Sequence, residues 1–208
     1  MKNKIVLFLI LLTVALSGCS KKIDIKDFEQ PLDKDTSVED LKEVNEIKEN
    51  GYKMGDYVYT LGKLKDNDDY AQATISQIPR LKEIFKKVET RVDVNKKINI
   101  IPYSVYYDDE IEVYEINSLL FNTSKVDIKT GSYYAFPIFS LDPKKFEGIT
   151  MKFEDLSPII HPKEFVSITI TVPLKKEESE IFKQSKPENV DIVIQDLIIN
   201  GESVSNEN

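Results

Sequence analysis

The sequence of 208 residues contains one cysteine, one histidine and no tryptophan. A single thiol forms no internal disulfide, so a hydrophobic core must hold the folded part together, and 41% of the residues are hydrophobic. Zinc sites of the usual kind need several cysteine or histidine ligands, and the chain does not supply them. The sequence therefore predicts a fold without disulfides and without a metal site.

The chain also has little of what common catalytic and nucleotide-binding motifs require. Its seven glycines show no G-x-G-x-x-G spacing, and none is followed by Lys and Ser or Thr. No serine lies in a G-x-S-x-G motif, and the single histidine, His161, precedes a proline in a predicted loop. Nucleophilic catalysis normally needs a base beside the nucleophile. We therefore predict no cofactor and no enzymatic activity.

Basic residues are outnumbered by acidic residues. The chain has 28 lysines and arginines against 36 aspartates and glutamates, which gives a formal net charge of −8. An acidic surface repels nucleic acids and anionic lipid headgroups. Nucleic acid is therefore not an expected partner.

Long apolar runs are absent except near the start, where residues 5–16 read IVLFLILLTVAL after two lysines in the first four positions. Twelve residues are too few to cross a bilayer comfortably, because a spanning helix needs about 20 apolar residues. A basic start followed by a short apolar segment is the layout of a secretory signal peptide. An uncleaved membrane helix is the alternative, and the polar residues from Ser20 onward would make it short.

The only cysteine follows this segment in Leu16-Ser17-Gly18-Cys19, which resembles the lipobox of bacterial lipoproteins. The resemblance implies that residues 1–18 are a signal peptide cleaved between Gly18 and Cys19, and that the Cys19 thiol carries a diacylglyceryl group. Two acyl chains suffice for stable attachment, since each buried methylene contributes about 0.8 kcal/mol. The implied location is the extracytoplasmic face of the cell membrane, with the lipid bilayer bound through acylated Cys19.

Residues 19–37 are charged and poor in large apolar groups, which predicts a flexible tether. Ser37 as N-cap and apolar residues at every third position then predict a helix that ends at Asn50, and the alternative is a frayed extension of the tether. A second helix is predicted over residues 78–88, with Pro79 in its first turn. Between the helices, we predict a strand over 55–64 and a turn over 65–70.

From Ile98 onward, short β-rich segments alternate with turn residues. The clearest is 166–172, where Val and Ile alternate with Ser and Thr and so place every aliphatic side chain on one face. The seven predicted strands are 98–107, 110–116, 125–129, 132–141, 148–153, 165–174 and 189–199. Their spacing favours an antiparallel sandwich or barrel over a parallel α/β sheet.

The sequence therefore predicts a mainly β fold: an antiparallel β-sandwich preceded by one or two short helices. Residues 38–201 would form a single β-rich domain with a helical N-terminal part, followed by a disordered tail over 202–208. The segments 51–64 and 172–201 resemble immunoglobulin-like extracellular domains of small Gram-positive lipoproteins, which implies an immunoglobulin-like sandwich. The Cys-Trp-Cys framework of true immunoglobulin domains is absent from this sequence.

Two groups of acidic residues are candidate sites. Asp66, Asp68 and Asp69 fail the EF-hand pattern, because Ala71 and Gln77 stand where that loop needs glycine and glutamate. The second group could supply two carboxylates for glycoside hydrolysis, with Asp109 and Glu112 as the residues to test, but an acidic turn leading into a strand explains it more simply. Its members are Asp108, Asp109, Glu110 and Glu112.

Six tyrosines concentrate between residues 103 and 134 and form the candidate binding surface. Tyrosine offers apolar area with a hydrogen-bonding tip, which suits sugars, peptides and protein partners. It is also a good strand former, and alternate strand residues face opposite ways, so packing within the sheets is the competing interpretation. The six are Tyr103, Tyr106, Tyr107, Tyr114, Tyr133 and Tyr134.

Taken together, these features predict a membrane-anchored binding module for an envelope protein or a cell-wall component. The anchor, the tyrosines and the missing catalytic motifs support this hypothesis. The alternatives are an accessory or regulatory subunit of a membrane assembly and, third, a carboxylate-dependent hydrolase.

Overall fold

The computed structural model describes residues 38–140, 146–183 and 185–208. The predicted signal peptide, Cys19 and the predicted tether lie outside the described residues. The described part is mainly β, as the sequence predicts, and its strands form two sheets rich in antiparallel pairs.

The five α-helices are α1 (Val38–Asn50), α2 (Asp68–Ser76), α3 (Ile78–Val88), α4 (Phe153–Leu156) and α5 (Lys176–Phe182). The nine strands are β1 (Tyr52–Met54), β2 (Tyr57–Tyr59), β3 (Ile98–Asp108), β4 (Val113–Asn122), β5 (Gly131–Phe139), β6 (Ile149–Lys152), β7 (Glu164–Pro173), β8 (Val190–Ile199) and β9 (Glu202–Ser203). These counts refer to the described residues. Of the seven strands predicted after residue 97, five correspond to β3, β5, β6, β7 and β8, whereas the one predicted over 110–116 overlaps β4 only at 113–116 and misses 117–122.

The first sheet has five strands in the order β1-β2-β7-β4-β3, and the second has four in the order β6-β5-β8-β9. Each pair of neighbours is antiparallel except β2 and β7, which run parallel. The expectation of a purely antiparallel fold is wrong for that one pair. The parallel pair arises because the β1–β2 hairpin adds its second strand to the edge of β7.

Alternation along β4 and β7 divides the core in two. Val166, Ile168, Ile170 and Val172 lie buried on one face, as their spacing predicts, and join a cluster formed by both sheets. We call this the inter-sheet cluster. It includes Ile116 and Leu120 of the first sheet and Tyr133, Ala135, Phe139 and Leu197 of the second.

The opposite face of the five-stranded sheet packs against α1, α2 and α3, and we call this second core the helix–sheet cluster. Phe121 and Phe165 are directly paired across β4 and β7, with ring centroids 4.9 Å apart. Phe85 of α3 stacks on Phe165 at 5.3 Å. Each such aromatic contact contributes about 0.5–1.5 kcal/mol beyond the area that it buries.

The predicted strand over 55–64 is wrong at its C-terminal end. Gly55 adopts a positive φ in the tight turn that joins β1 to β2, and residues 62–66 form a 3-10 helix. Gly62 packs so closely on α4 that a Cβ there would lie 2.2 Å from the carbonyl oxygen of Leu156. The chain therefore leaves the sheet after β2.

Two other local predictions are also wrong. The segment 65–70 is not a simple turn, because the Asn67 side chain accepts a hydrogen bond from the Tyr70 N–H and so begins α2. The segment 125–129 is not a strand. Only Ile128 pairs there, through an isolated bridge to Ile160.

The tail over 202–208, predicted to be disordered, is ordered. Glu202 and Ser203 form β9 against the end of β8, and the Lys97 N–H donates to the Asn206 carbonyl at 2.7 Å. The Asn206 side chain accepts from the Ile98 N–H at 2.9 Å and donates to the Ile98 carbonyl at 3.1 Å. The polar composition of the tail predicts disorder, but the Asn206 side-chain amide pairs with the edge of β3 as the backbone of another strand would.

We expect Asn206→Ala to lower the free energy of unfolding by about 1–2 kcal/mol, because both backbone groups of Ile98 lose their partner. Urea unfolding followed by circular dichroism measures this. Asn95→Ala is the matched control, since among the described residues the exposed Asn95 amide donates only to the neighbouring Asp93 carboxylate. It should change stability by less than about 0.5 kcal/mol. Equal effects of both substitutions would contradict the assigned role of Asn206.

Candidate functional site

An apolar surface lies on the outer face of the four-stranded sheet. Tyr133, Ala135 and Phe139 of β5 point into the inter-sheet cluster, so the residues between them project from the other face. On β8, Ile192 and Ile194 pack against the same cluster, which places Val193 on the outer face. We call this surface the outer patch. Its members are Tyr134, Phe136, Ile138, Val193 and Ile198.

The register of β5 and β8 brings these side chains together. Phe136 is directly opposite Val193, and the Tyr134 ring lies 6.0 Å from the Phe136 ring between centroids. Ile138 is 39% exposed and Ile198 is 36% exposed, and the other three members are half-buried. Apolar side chains grouped on one face of a sheet make that face a candidate interaction surface.

None of the described helices covers the outer patch with its buried side chains. The buried residues of α1, α2 and α3 belong to the helix–sheet cluster, and Phe153 of α4 and Phe182 of α5 belong to the inter-sheet cluster. Residues 133–139 nevertheless form an unbroken apolar run, which is typical of a strand covered on both faces. Within the described part of the chain, β5 has such cover on one face only.

The Tyr134 ring is held in place at one end of the outer patch. Its hydroxyl accepts a hydrogen bond from the Gly148 N–H at 2.8 Å. The ring lies so close to Gly148 that a Cβ there would be 2.6 Å from the Tyr134 Cζ atom. A fixed aromatic side chain loses little conformational entropy when a partner binds, which favours binding at this position.

Polar residues border the outer patch. Asp191 lies opposite Ile138, and Gln195 and Thr150 flank Tyr134 on the two neighbouring strands. Asp196 follows at a bulge in β8, where its φ is +49°. Protein interfaces commonly combine an apolar centre with a polar rim, and the border supplied by β8 is acidic.

The structure separates the six tyrosines predicted to form one binding surface. Tyr114 and Tyr133 are fully buried in the inter-sheet cluster, so their assignment to a binding surface is wrong. Tyr103 packs against the helix–sheet cluster, where burial raises the pKa of its phenol. Only Tyr134 belongs to the outer patch. Alternation along each strand separates the others from it.

Tyr106 and Tyr107 lie on opposite faces of β3. The Tyr106 hydroxyl donates to the Glu115 carboxylate on the face of the five-stranded sheet away from the inter-sheet cluster. Tyr107 packs against the inter-sheet cluster, and its hydroxyl donates to the Leu174 carbonyl at 3.0 Å. Both phenols therefore have internal partners.

The single histidine has a partner that the sequence did not predict. His161 Nδ1 lies 2.9 Å from an Asp127 carboxylate oxygen, and both side chains are about half exposed. Ser124, a hydroxyl residue near Asp127 in the sequence, donates its hydroxyl hydrogen to the Asn122 side-chain oxygen at 2.6 Å and not to the imidazole. Within the described residues no hydroxyl or thiol is hydrogen-bonded to the imidazole, so the pair lacks the nucleophile of a catalytic triad.

The acidic groups occupy turns and helix ends. Asp68 begins α2 and pairs with Lys48. Asp108 accepts the N–H of Glu110 at 2.8 Å in the turn between β3 and β4, and Asp109 lies 3.6 Å from Lys183. Among the residues that the structure describes, no three His, Cys, Asp or Glu side chains are grouped to hold a metal ion.

Comparisons with known proteins add no assignment, because no family model and no curated protein matches this chain. Within the described ranges, none of the helices combines the length and the apolar character that a membrane crossing requires.

We expect Tyr114→Phe to raise the free energy of unfolding by about 1 kcal/mol at pH 7, because the buried hydroxyl lies near the Ser185 hydroxyl but neither group has a partner at normal hydrogen-bond geometry among the described residues. Burial also raises the pKa of Tyr114 from 10 to about 12, against an opposing effect of the neighbouring Ser185 hydroxyl. The native state therefore disfavours ionisation. The free energy of unfolding is therefore constant with respect to this group up to about pH 10. It falls as the pH rises from 10 to 12, because the phenol then ionises in the unfolded state but not in the native state.

The phenylalanine variant should accordingly lose less stability than the wild type between pH 10 and 12, as measured by urea unfolding across that range. Ser118→Ala is the matched control, since this buried hydroxyl also has no described partner but does not titrate there. It should stabilise the fold by a similar amount at every pH. Identical pH profiles for Tyr114→Phe and the wild type would contradict the explanation.

Proposed function

We propose that the chain is a lipid-anchored extracytoplasmic binding module that docks on an envelope protein through the outer patch. The observation that carries this proposal is the apolar strand β5, whose outer face is left without cover by the described helices. The lipobox-like sequence around Cys19 supports the location. An immunoglobulin-like sandwich is the proposed architecture, supported by two sheets that share one buried cluster.

A protein surface fits the outer patch better than a sugar polymer does. Sugars stack on flat aromatic rings that are surrounded by hydrogen-bonding groups, whereas Phe136, Ile138 and Val193 supply aliphatic and aromatic area with few polar atoms. The acidic border at Asp191 and Asp196 favours a partner with basic residues around an apolar centre. The net charge of −8 adds to this preference through long-range attraction.

Anchoring would strengthen such an interaction without any additional contact. A lipid on Cys19 confines the protein to a thin layer at the membrane surface, where the effective concentration of a membrane-bound partner is high. A modest surface of about five apolar side chains could then suffice for binding. The anchor and the outer patch therefore act together: the anchor raises the local concentration of the partner, and the outer patch binds it.

The test is cross-linking of the full protein on its own cells, followed by mass spectrometry of the captured protein. Phe136→Lys should reduce capture at least tenfold, because loss of a central interface side chain costs about 2 kcal/mol or more. Thr171→Lys is the matched control: it places the same charge at a half-buried position opposite Glu115, on the face of the five-stranded sheet away from the inter-sheet cluster, and capture should persist. Cys19→Ala should also reduce capture, since it removes the proposed lipid attachment.

Circular dichroism of each variant must first show an intact fold. Undiminished capture by Phe136→Lys would contradict docking through the outer patch. Capture of cell-wall material in place of a protein would contradict the proposed class of partner.

A further inference from the structure

The apolar part of the outer patch is two strands wide. Its members lie on β5 and β8, and the strands on either side add polar side chains to this face. On β6, the alternate residues pack against the inter-sheet cluster, which leaves Thr150 and Lys152 on the outer face. On β9, Ser203 lies directly opposite Ile198. Neighbouring strands are about 4.8 Å apart, so the apolar stripe is about 10 Å wide.

The stripe runs along the strands and not across them. Ile198 lies opposite Ser132 at one end, and Ile138 lies six residues further along β5 at the other end. At about 3.3 Å per residue, the stripe is about 20 Å long. An α-helix is about 10 Å in diameter and rises about 1.5 Å per residue, so about 13 helical residues match both dimensions.

The five-stranded sheet shows which element covers a face of this kind. Phe121 and Phe165 lie on its neighbouring strands β4 and β7, and Phe85 of α3 contacts both rings, at 6.4 Å and 5.3 Å between centroids. A single helix therefore spans two strands in this fold. A covering sheet needs three or more strands with an apolar face, whereas the outer patch offers apolar area on two strands only.

The two flanks of the stripe differ in charge. On β8, Asp191 lies opposite Ile138 and Asp196 lies at the bulge. Both carboxylates are exposed, and within the described ranges neither forms an ion pair with a basic side chain. The flank on β6 carries Lys152. Unpaired carboxylates beside an apolar surface favour a partner whose basic groups reach them.

We infer that the outer patch receives an amphipathic α-helix of an envelope protein, lying parallel to β5 and β8. The apolar residues of this helix would recur three and four positions apart over about 13 residues. Its basic residues would lie along the side that faces Asp191 and Asp196. The inference rests on the proposed docking through the outer patch and adds the form of the partner to it.

Photo-cross-linking from the two ends of the outer patch measures this form. The photoreactive amino acid p-benzoylphenylalanine replaces Ile138 in one variant and Ile198 in another, in the full protein on its own cells. Both positions are exposed, so a bulkier side chain leaves the core intact, and circular dichroism checks the fold of each variant. Mass spectrometry of the digested conjugates then identifies the partner residues attached from each position.

For a helix parallel to the strands, we expect the residues attached from Ile138 and from Ile198 to lie about 13 positions apart in the partner sequence. An extended strand would cover the same distance with about six residues. Attachment within one segment at the helical distance is the supporting result, and capture of a protein alone is not.

The charge on the β8 flank is tested separately. Asp191→Lys should lower the yield of both conjugates about fivefold or more, because it opposes the basic side of the helix with a like charge. Glu46→Lys is the matched control. It makes the same change of charge at an exposed position of α1 and should leave the yield unchanged.

Two outcomes would overturn the inference and leave the proposed docking intact. Attached residues about six positions apart would identify a strand, and attached residues in segments distant from each other would identify a surface of loops. Two other outcomes would overturn the inference together with the proposed docking. These are conjugates only with this chain itself, through residues 19–37 or a second copy, and no protein conjugate from either position.

Discussion

The pairing of β4 with β7 is the interaction on which the other elements depend. Nine residues of each strand face each other in register, from Val113 opposite Pro173 to Phe121 opposite Phe165. Because side chains alternate, one face of this pair supplies aliphatic residues to the inter-sheet cluster, and the other supplies Phe121 and Phe165 to the helix–sheet cluster. A shift of one residue would exchange the two faces, so both cores depend on this register.

This arrangement makes the two sheets unequal. The five-stranded sheet has the second sheet on one side and α1, α2 and α3 on the other, which satisfies its apolar residues on both faces. The four-stranded sheet has the same kind of apolar sequence in β5, yet its outer face receives no such helical layer from the described residues. β7 alternates Ser and Thr with its aliphatic residues, whereas β5 carries Tyr134, Phe136 and Ile138 on its outer face, where Ile138 is exposed and the two aromatic residues are half-buried.

The sequence could predict the elements better than their combination. Strict alternation over 166–172 and the capping and helix-forming residues near 38–50 and 78–88 are local signals, and the structure has strands or helices at those positions. The parallel contact of β2 with β7 and the ordered tail depend on residues distant in the chain, so no local pattern could indicate them. The same limit applies to the site. Clustered tyrosines indicate a candidate binding surface, but only the strand register shows that Tyr114 and Tyr133 point inward while Tyr134 points outward.

The most direct test of the account is hydroxyl-radical footprinting of the protein on intact cells and in purified form. We expect Tyr134 and Phe136 to react several-fold less on cells than in solution, because the proposed partner covers the outer patch in the native envelope. Tyr70, an exposed residue of α2, should react equally in both states. Equal reactivity of Tyr134 and Phe136 in the two states would contradict the central claim that this face is an occupied interface.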